Sequence, residues 1–99
     1  MLNEESILKT LTENINPNQF QIEEIGLFGS YSRNEQNDNS DIDILVNFKK
    51  GAKTFDNYME LKFYLENIFN RKVDLVISDA LKPDLKNVIL ESVKYAPRS

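Results

Sequence analysis

Two aspartates separated by one residue are the strongest chemical feature of this sequence. Asp41 and Asp43 flank Ile42 at the start of an apolar run, and side chains two apart on a strand face the same way, about 6–7 Å apart. Like charges side by side on a strand repel each other. A divalent cation between the carboxylates would offset that repulsion, and Mg²⁺ prefers such oxygen ligands. The pair indicates a metal site, with an exposed acidic strand start as the alternative.

A third carboxylate, Asp74, stands near the start of the apolar run 73–77. An unpaired carboxylate is costly to bury, so Asp74 calls for a partner or for exposure at a strand end. If the strands at 41–48 and 73–77 are neighbours with aligned acidic faces, three carboxylates converge. That is the composition of a two-metal phosphoryl-transfer site.

A glycine-serine pair, Gly29-Ser30, follows another apolar run and opens a predicted short helix. Free backbone N–H groups and the helix dipole favour an anion at such a place. Gly29 would allow close backbone approach, and the Ser30 hydroxyl would donate to a phosphate oxygen. Arg33 would neutralise phosphate charge or pair with nearby acidic residues. The pair predicts a phosphate cradle, although ordinary turn chemistry uses the same residues.

The surrounding pattern predicts the elements that position these residues. Ile42, Ile44, Val46 and Phe48 would form the core face of their strand, opposite the face shared by Asp41, Asp43, Leu45 and Asn47. The first half is predicted to contain a helix over 4–15 capped by Asn3, a strand over 20–28, a short polar helix over 30–36, a loop over 37–40 and a strand over 41–48. An amphipathic helix capped by Thr54 follows, with the apolar stripe Phe55, Tyr58, Leu61, Leu65 and Ile68. The chain then forms a strand over 73–77 and a last helix that starts at Pro83 and bears Leu85, Val88, Ile89 and Val93.

This order predicts an α/β (α+β) fold in which helices pack on a small mixed sheet of three or more strands. The length of 99 residues suits one domain spanning 1–99. No run approaches the roughly 20 apolar residues of a membrane span. The N-terminus also lacks the basic start of a signal peptide. A cytoplasmic location is therefore expected.

The composition narrows the chemistry. The chain has no cysteine and no histidine, which excludes disulfides and thiolate sites and removes the usual general base. The formal net charge of −4 argues against direct nucleic-acid binding, which needs Lys and Arg to displace counterions. Residues 1–48 carry nine acidic and two basic residues, whereas residues 49–99 carry seven acidic and ten basic ones. Acid–base and metal chemistry must use carboxylates.

The segments 27–35 (LFGSYSRNE) and 39–46 (NSDIDILV) together resemble the minimal nucleotidyltransferases of the DNA polymerase β superfamily. The resemblance covers nearly the whole chain and implies a nucleotidyltransferase-like fold. It implies that Gly29, Ser30, Arg33 and Ser40 bind the nucleotide. It also implies that Asp41, Asp43 and Asp74 are catalytic and bind metal, with two Mg²⁺ ions and ATP as the substrate.

Small members of this family resemble the antitoxin half of two-gene systems whose toxin is a HEPN-domain ribonuclease. In that picture the enzyme moves AMP from ATP onto a tyrosine of the toxin, which is both substrate and partner. The oligomeric state is left open, since the chain could pair with itself or with the toxin. Three alternatives remain: a non-catalytic antitoxin that acts by binding, a nucleotidyltransferase with a small-molecule acceptor, and a metal-binding α/β domain without transfer activity.

Overall fold

The computed structural model describes residues 3–29 and 41–96. The short helix expected at 30–36 and the loop expected at 37–40 lie outside these residues. The elements are α1 (Glu4–Asn14), α2 (Pro17–Phe20), β1 (Ile22–Phe28), β2 (Ile42–Phe48), α3 (Phe55–Phe69), β3 (Val73–Ile77), a single 3₁₀ turn (Ser78–Ala80), α4 (Pro83–Ser92) and β4 (Lys94–Tyr95).

The four strands form one mixed sheet in the order β3-β2-β1-β4. β1 pairs antiparallel with both β2 and β4, whereas β2 pairs parallel with β3. A parallel pair needs a crossover connection, and α3 supplies it. The expected α/β fold with a small mixed sheet is confirmed.

The core lies on one face of the sheet. Ile42, Ile44, Val46 and Phe48 are all buried, as the alternation along β2 predicts. They belong to one apolar cluster that also holds Ile7 and Leu11 of α1 and Leu61, Leu65 and Phe69 of α3. The two long helices therefore cover the same face, and the face that carries the aspartates points the other way.

Both predicted helix caps are present. The Asn3 side chain accepts from the backbone N–H of Ser6, and the Ser6 hydroxyl completes the reciprocal capping box. Thr54 accepts from the N–H of Asn57 at the start of α3. α3 ends at Phe69, and its C-cap Asn70 has a left-handed φ of 48° that turns the chain toward β3. Local sequence thus sets where β3 begins.

Three details differ from the sequence-based expectations. Pro17 starts the short helix α2, because proline fits a first helical position, so β1 begins at Ile22 and not at residue 20. Phe55 is 76% exposed, since it occupies the first turn of α3, before the part of the helix that packs on the core. β4 is an additional strand of two residues. Within the described ranges, no helix combines the length and apolar composition needed to cross a membrane.

Candidate active site

The parallel pairing of β2 and β3 places two of the three predicted carboxylates side by side. Asp43 and Asp74 are register partners, and such partners point to the same face of a sheet from strands about 4.8 Å apart. Asp43 is half-buried and Asp74 is exposed. Asp41, also exposed, immediately precedes β2. The alignment that the sequence left as a condition is therefore present for Asp43 and Asp74.

Gly29 lies against Asp43. Phe28, the last residue of β1, is the register partner of Asp43, and Gly29 follows it with a left-handed φ of 75°. A Cβ added to Gly29 would lie 2.9 Å from Cγ of Asp43 and would collide with its Oδ2. Glycine is thus required twice, by the backbone conformation and by the aspartate. The sequence predicted close approach to a phosphate, and the structure shows close approach to a carboxylate.

The middle of this face is apolar. Leu45, two residues along β2 from Asp43, is 1% exposed. Its register partners are Gly26 in β1 and Val76 in β3. The carboxylates of Asp43 and Asp74 therefore lie at one end of a face whose middle is closed.

The residues present fit a hard divalent cation such as Mg²⁺. Among residues 3–29 and 41–96, no group of three or more His, Cys, Asp or Glu side chains is arranged to hold a metal ion. The sheet register brings together Asp43 and Asp74, and the metal-binding role of Asp41 stays a prediction. Mg²⁺ is usually held by one or two carboxylates while substrate phosphates and waters complete its shell. The adjacent oxygens of Asp43 and Asp74 meet that requirement. The other predicted nucleotide-binding residues, Ser30, Arg33 and Ser40, lie outside the described part of the chain.

The opposite edge of the sheet carries a perturbed tyrosine. Burial raises the pKa of Tyr95 above 10.0, and the negative charge of Glu24 together with a hydrogen bond to that carboxylate raises it further. Tyr95 pairs with Gly26 at the β1–β4 edge. Two strands, β1 and β2, therefore separate Tyr95 from Asp74, and Tyr95 belongs to the packing of β4.

Comparison with known proteins gives consistent matches in sequence and in fold. A family model described as the nucleotidyltransferase domain matches residues 6–96. The protein adenylyltransferase MntA of Thermococcus cleftensis is 40% identical over 77 residues, which make up 78% of this chain and 77% of that protein.

Two solved structures extend the comparison. A crystal structure of a toxin-antitoxin with AMP-PNP has a TM-score of 0.71 at 33% identity, over 99% of this chain and 75% of that one. The structure of the tri-AMPylated Shewanella oneidensis HEPN toxin in complex with MNT antitoxin has a TM-score of 0.62 at 29% identity, over 98% of this chain and 71% of that one. The family match covers most of this chain, and the sheet of this chain places Asp43 and Asp74 beside the turn at Gly29. This chain therefore belongs to the nucleotidyltransferase domain family, among relatives named protein adenylyltransferases.

Proposed function

We propose that this nucleotidyltransferase moves AMP from ATP onto a hydroxyl of a partner protein, a tyrosine of a cognate HEPN toxin. The observation that carries the proposal is the register pairing of Asp43 with Asp74, next to Gly29. The relatives support the substrate class: one is named a protein adenylyltransferase, one structure contains AMP-PNP, and one contains a tri-AMPylated HEPN toxin. The chain would then be the antitoxin of a toxin-antitoxin pair.

The nucleotide and metal ligands are assigned as follows. Asp41, Asp43 and Asp74 would hold two Mg²⁺ ions, and Gly29 with the segment that follows it would contact the phosphates. Mg²⁺ bound by these residues would act as a Lewis acid and would neutralise phosphate charge. The residues after Gly29 that are assigned to the nucleotide are Ser30, Arg33 and Ser40.

Asp74 is assigned the proton-accepting role. The acceptor hydroxyl attacks the α-phosphorus of ATP, an O–P bond forms to AMP, and the bond to the departing pyrophosphate breaks. The hydroxyl proton passes to the carboxylate of Asp74, which is exposed. No histidine is present in the chain to take that proton. Asp74→Asn should accordingly lower kcat more than it weakens ATP binding.

A second candidate is an antitoxin that neutralises its toxin by binding alone. The charge distribution favours it, because the acidic excess of residues 1–48 would complement a basic toxin surface. A small-molecule acceptor has weaker support, since the matched relative is named a protein adenylyltransferase. The cytoplasmic location, the single-domain organisation, the absence of direct nucleic-acid binding and the oligomeric state stay predictions from the sequence.

The proposal is tested with ATP labelled on its α-phosphate, Mg²⁺, and the purified product of the neighbouring gene. Asp43→Asn is compared with Asp79→Asn, an exposed aspartate in the turn after β3. We expect wild type and Asp79→Asn to label the partner protein, and Asp43→Asn to label it at least about 100-fold more slowly. Undiminished labelling by Asp43→Asn would overturn the assignment. Absence of labelling by wild type, with binding retained, would favour the binding-only antitoxin.

A further inference from the structure

The strand that carries Asp74 lies at the outer edge of the sheet. The N–H of Ile42 in β2 donates to the carbonyl of Lys72 at 3.1 Å. Because backbone groups alternate in direction along a strand, Lys72 and Asp74 point their backbone groups toward β2. Val73 and Leu75 therefore point theirs away from the sheet. Unsatisfied groups at such an edge leave a strand free to fray.

Two side chains of α3 form hydrogen bonds with one outward-facing group of Val73 and one of Leu75. The carboxylate of Glu66 accepts from the N–H of Val73 at 3.1 Å. The hydroxyl of Tyr58 donates to the carbonyl of Leu75 at 2.6 Å. The two bonded residues are the immediate neighbours of Asp74 on either side, and both bonds are part-buried. Asp74 is thus held on one side by β2 and on the other by the helix.

We propose that Tyr58 and Glu66 are positioning residues for Asp74. This inference rests on the proposed function, because it requires Asp74 to act in the site. The pairing of β3 with β2 is parallel and therefore slightly weaker per residue than antiparallel pairing. The two bonds from α3 fix the second side of the strand and so fix the separation of the Asp74 and Asp43 carboxylates. Reactions that depend on such geometry lose about 100-fold in rate for a 1 Å displacement.

The chain contains a matched control on the same helix. The hydroxyl of Tyr64 donates to the carbonyl of Asn14 at the end of α1, at 2.8 Å. Tyr58→Phe and Tyr64→Phe each remove one hydroxyl bond to a backbone carbonyl and keep the aromatic ring. Only the first of these carbonyls belongs to β3. If the Tyr58 hydroxyl only stabilised the fold, Tyr58→Phe and Tyr64→Phe variants with equal melting temperatures would also bind the metal equally well.

The experiment measures the affinity of Mn²⁺ in the presence of AMP-PNP by electron paramagnetic resonance, on the full chain without an acceptor. We expect Tyr58→Phe to weaken Mn²⁺ binding about tenfold, and Tyr64→Phe to leave it within about twofold of wild type. Glu66→Leu should weaken binding as Tyr58→Phe does. Glu66→Gln should restore it, since the amide oxygen still accepts from the N–H of Val73.

A second readout is the hydrogen exchange of the Asp74 amide, which should accelerate in Tyr58→Phe and not in Tyr64→Phe. The Asp74→Asn variant distinguishes a failure of the proposed role of Asp74 from a failure of the positioning role. If Asp74→Asn binds Mn²⁺ and transfers AMP as wild type does, the proposed role of Asp74 fails. If Asp74→Asn is impaired but Tyr58→Phe matches Tyr64→Phe in Mn²⁺ affinity and exchange, the proposed function stands and the positioning role is overturned.

Discussion

The two edges of the sheet are built differently. At the β3 edge, α3 buries Leu61, Leu65 and Phe69 and bonds the strand backbone through its side chains. At the β4 edge, the strand has two residues, and within the described chain none of the residues of α4 is buried. Leu85 and Val88 of α4 are 55% and 64% exposed.

The β3 edge is therefore held by more interactions than the β4 edge. The edge that carries Asp74 is fixed by core burial, by strand pairing and by two side-chain hydrogen bonds to the backbone. The other edge is held mainly by the short pairing of β1 with β4. Groups that must keep a defined geometry are best placed on rigid elements, and in this chain the aspartates lie on the constrained side.

The largest expected contrast is in stability. Leu65→Ala removes a fully buried side chain of α3 and should lower the free energy of unfolding by about 2–5 kcal/mol. Val88→Ala removes an exposed side chain of α4 and should change it by less than about 0.5 kcal/mol. Urea denaturation of both variants measures the contrast. Equal losses would mean that α4 is as much a part of the core as α3.

A second contrast separates stability from activity. Gly29→Ala forces a left-handed residue to carry a Cβ, at a cost of about 1–2 kcal/mol, and drives that atom into Asp43. Gly26→Ala crowds the Lys94 carbonyl at 2.9 Å and should displace β4. Both variants should lose stability, but only Gly29→Ala should also lose AMP transfer, by about tenfold or more.

Gly51→Ala provides the strain control for this pair of variants. Gly51 also has a positive φ, of 84°, but an added Cβ meets no described atom within 4 Å. We expect it to lose about 1–2 kcal/mol from backbone strain and to keep wild-type transfer. Loss of transfer in Gly51→Ala would attribute the effect in Gly29→Ala to general destabilisation.

Much of the fold could be predicted because its signals are local. The alternation of Ile42, Ile44 and Val46 fixes the buried face of β2, and the caps at Asn3 and Thr54 fix two helix starts. The short elements could not be predicted. Proline both ends and begins helices, which obscured α2, and β4 is too short to show a pattern, since it depends on the space left by Gly26.

The residues of the candidate site could also be predicted from the sequence, whereas the contacts among them could not. Asp41, Asp43 and Asp74 could be named from residue type and spacing, and the family resemblance implied the same three. The contact of Gly29 with Asp43 depends on the register of β1 with β2, which no local pattern specifies. The hydrogen bonds from Tyr58 and Glu66 to β3 could not be predicted, because the sequence places Tyr58 in the apolar stripe of α3 and does not single out Glu66.

The smallest expected effect lies at the β4 edge. The pKa of Tyr95 is raised above 10.0 by burial first and by Glu24 second, so the folded state favours the neutral phenol. Its stabilising contribution is complete below about pH 10 and is lost as the pH rises through the raised pKa. Tyr95→Phe should therefore show a shallower fall in melting temperature above about pH 10. An unchanged slope would contradict the assigned environment of Tyr95.

The central claim is that Asp43 and Asp74 act as one unit, and a double-mutant cycle on Mn²⁺ affinity with AMP-PNP tests it most directly. Asp43→Asn, Asp74→Asn and the double variant are compared with wild type. If the pair holds one ion, each single variant should weaken Mn²⁺ binding by nearly as much as the double variant does, so the effects are strongly non-additive. Additive effects, or wild-type affinity in the double variant, would contradict the claim.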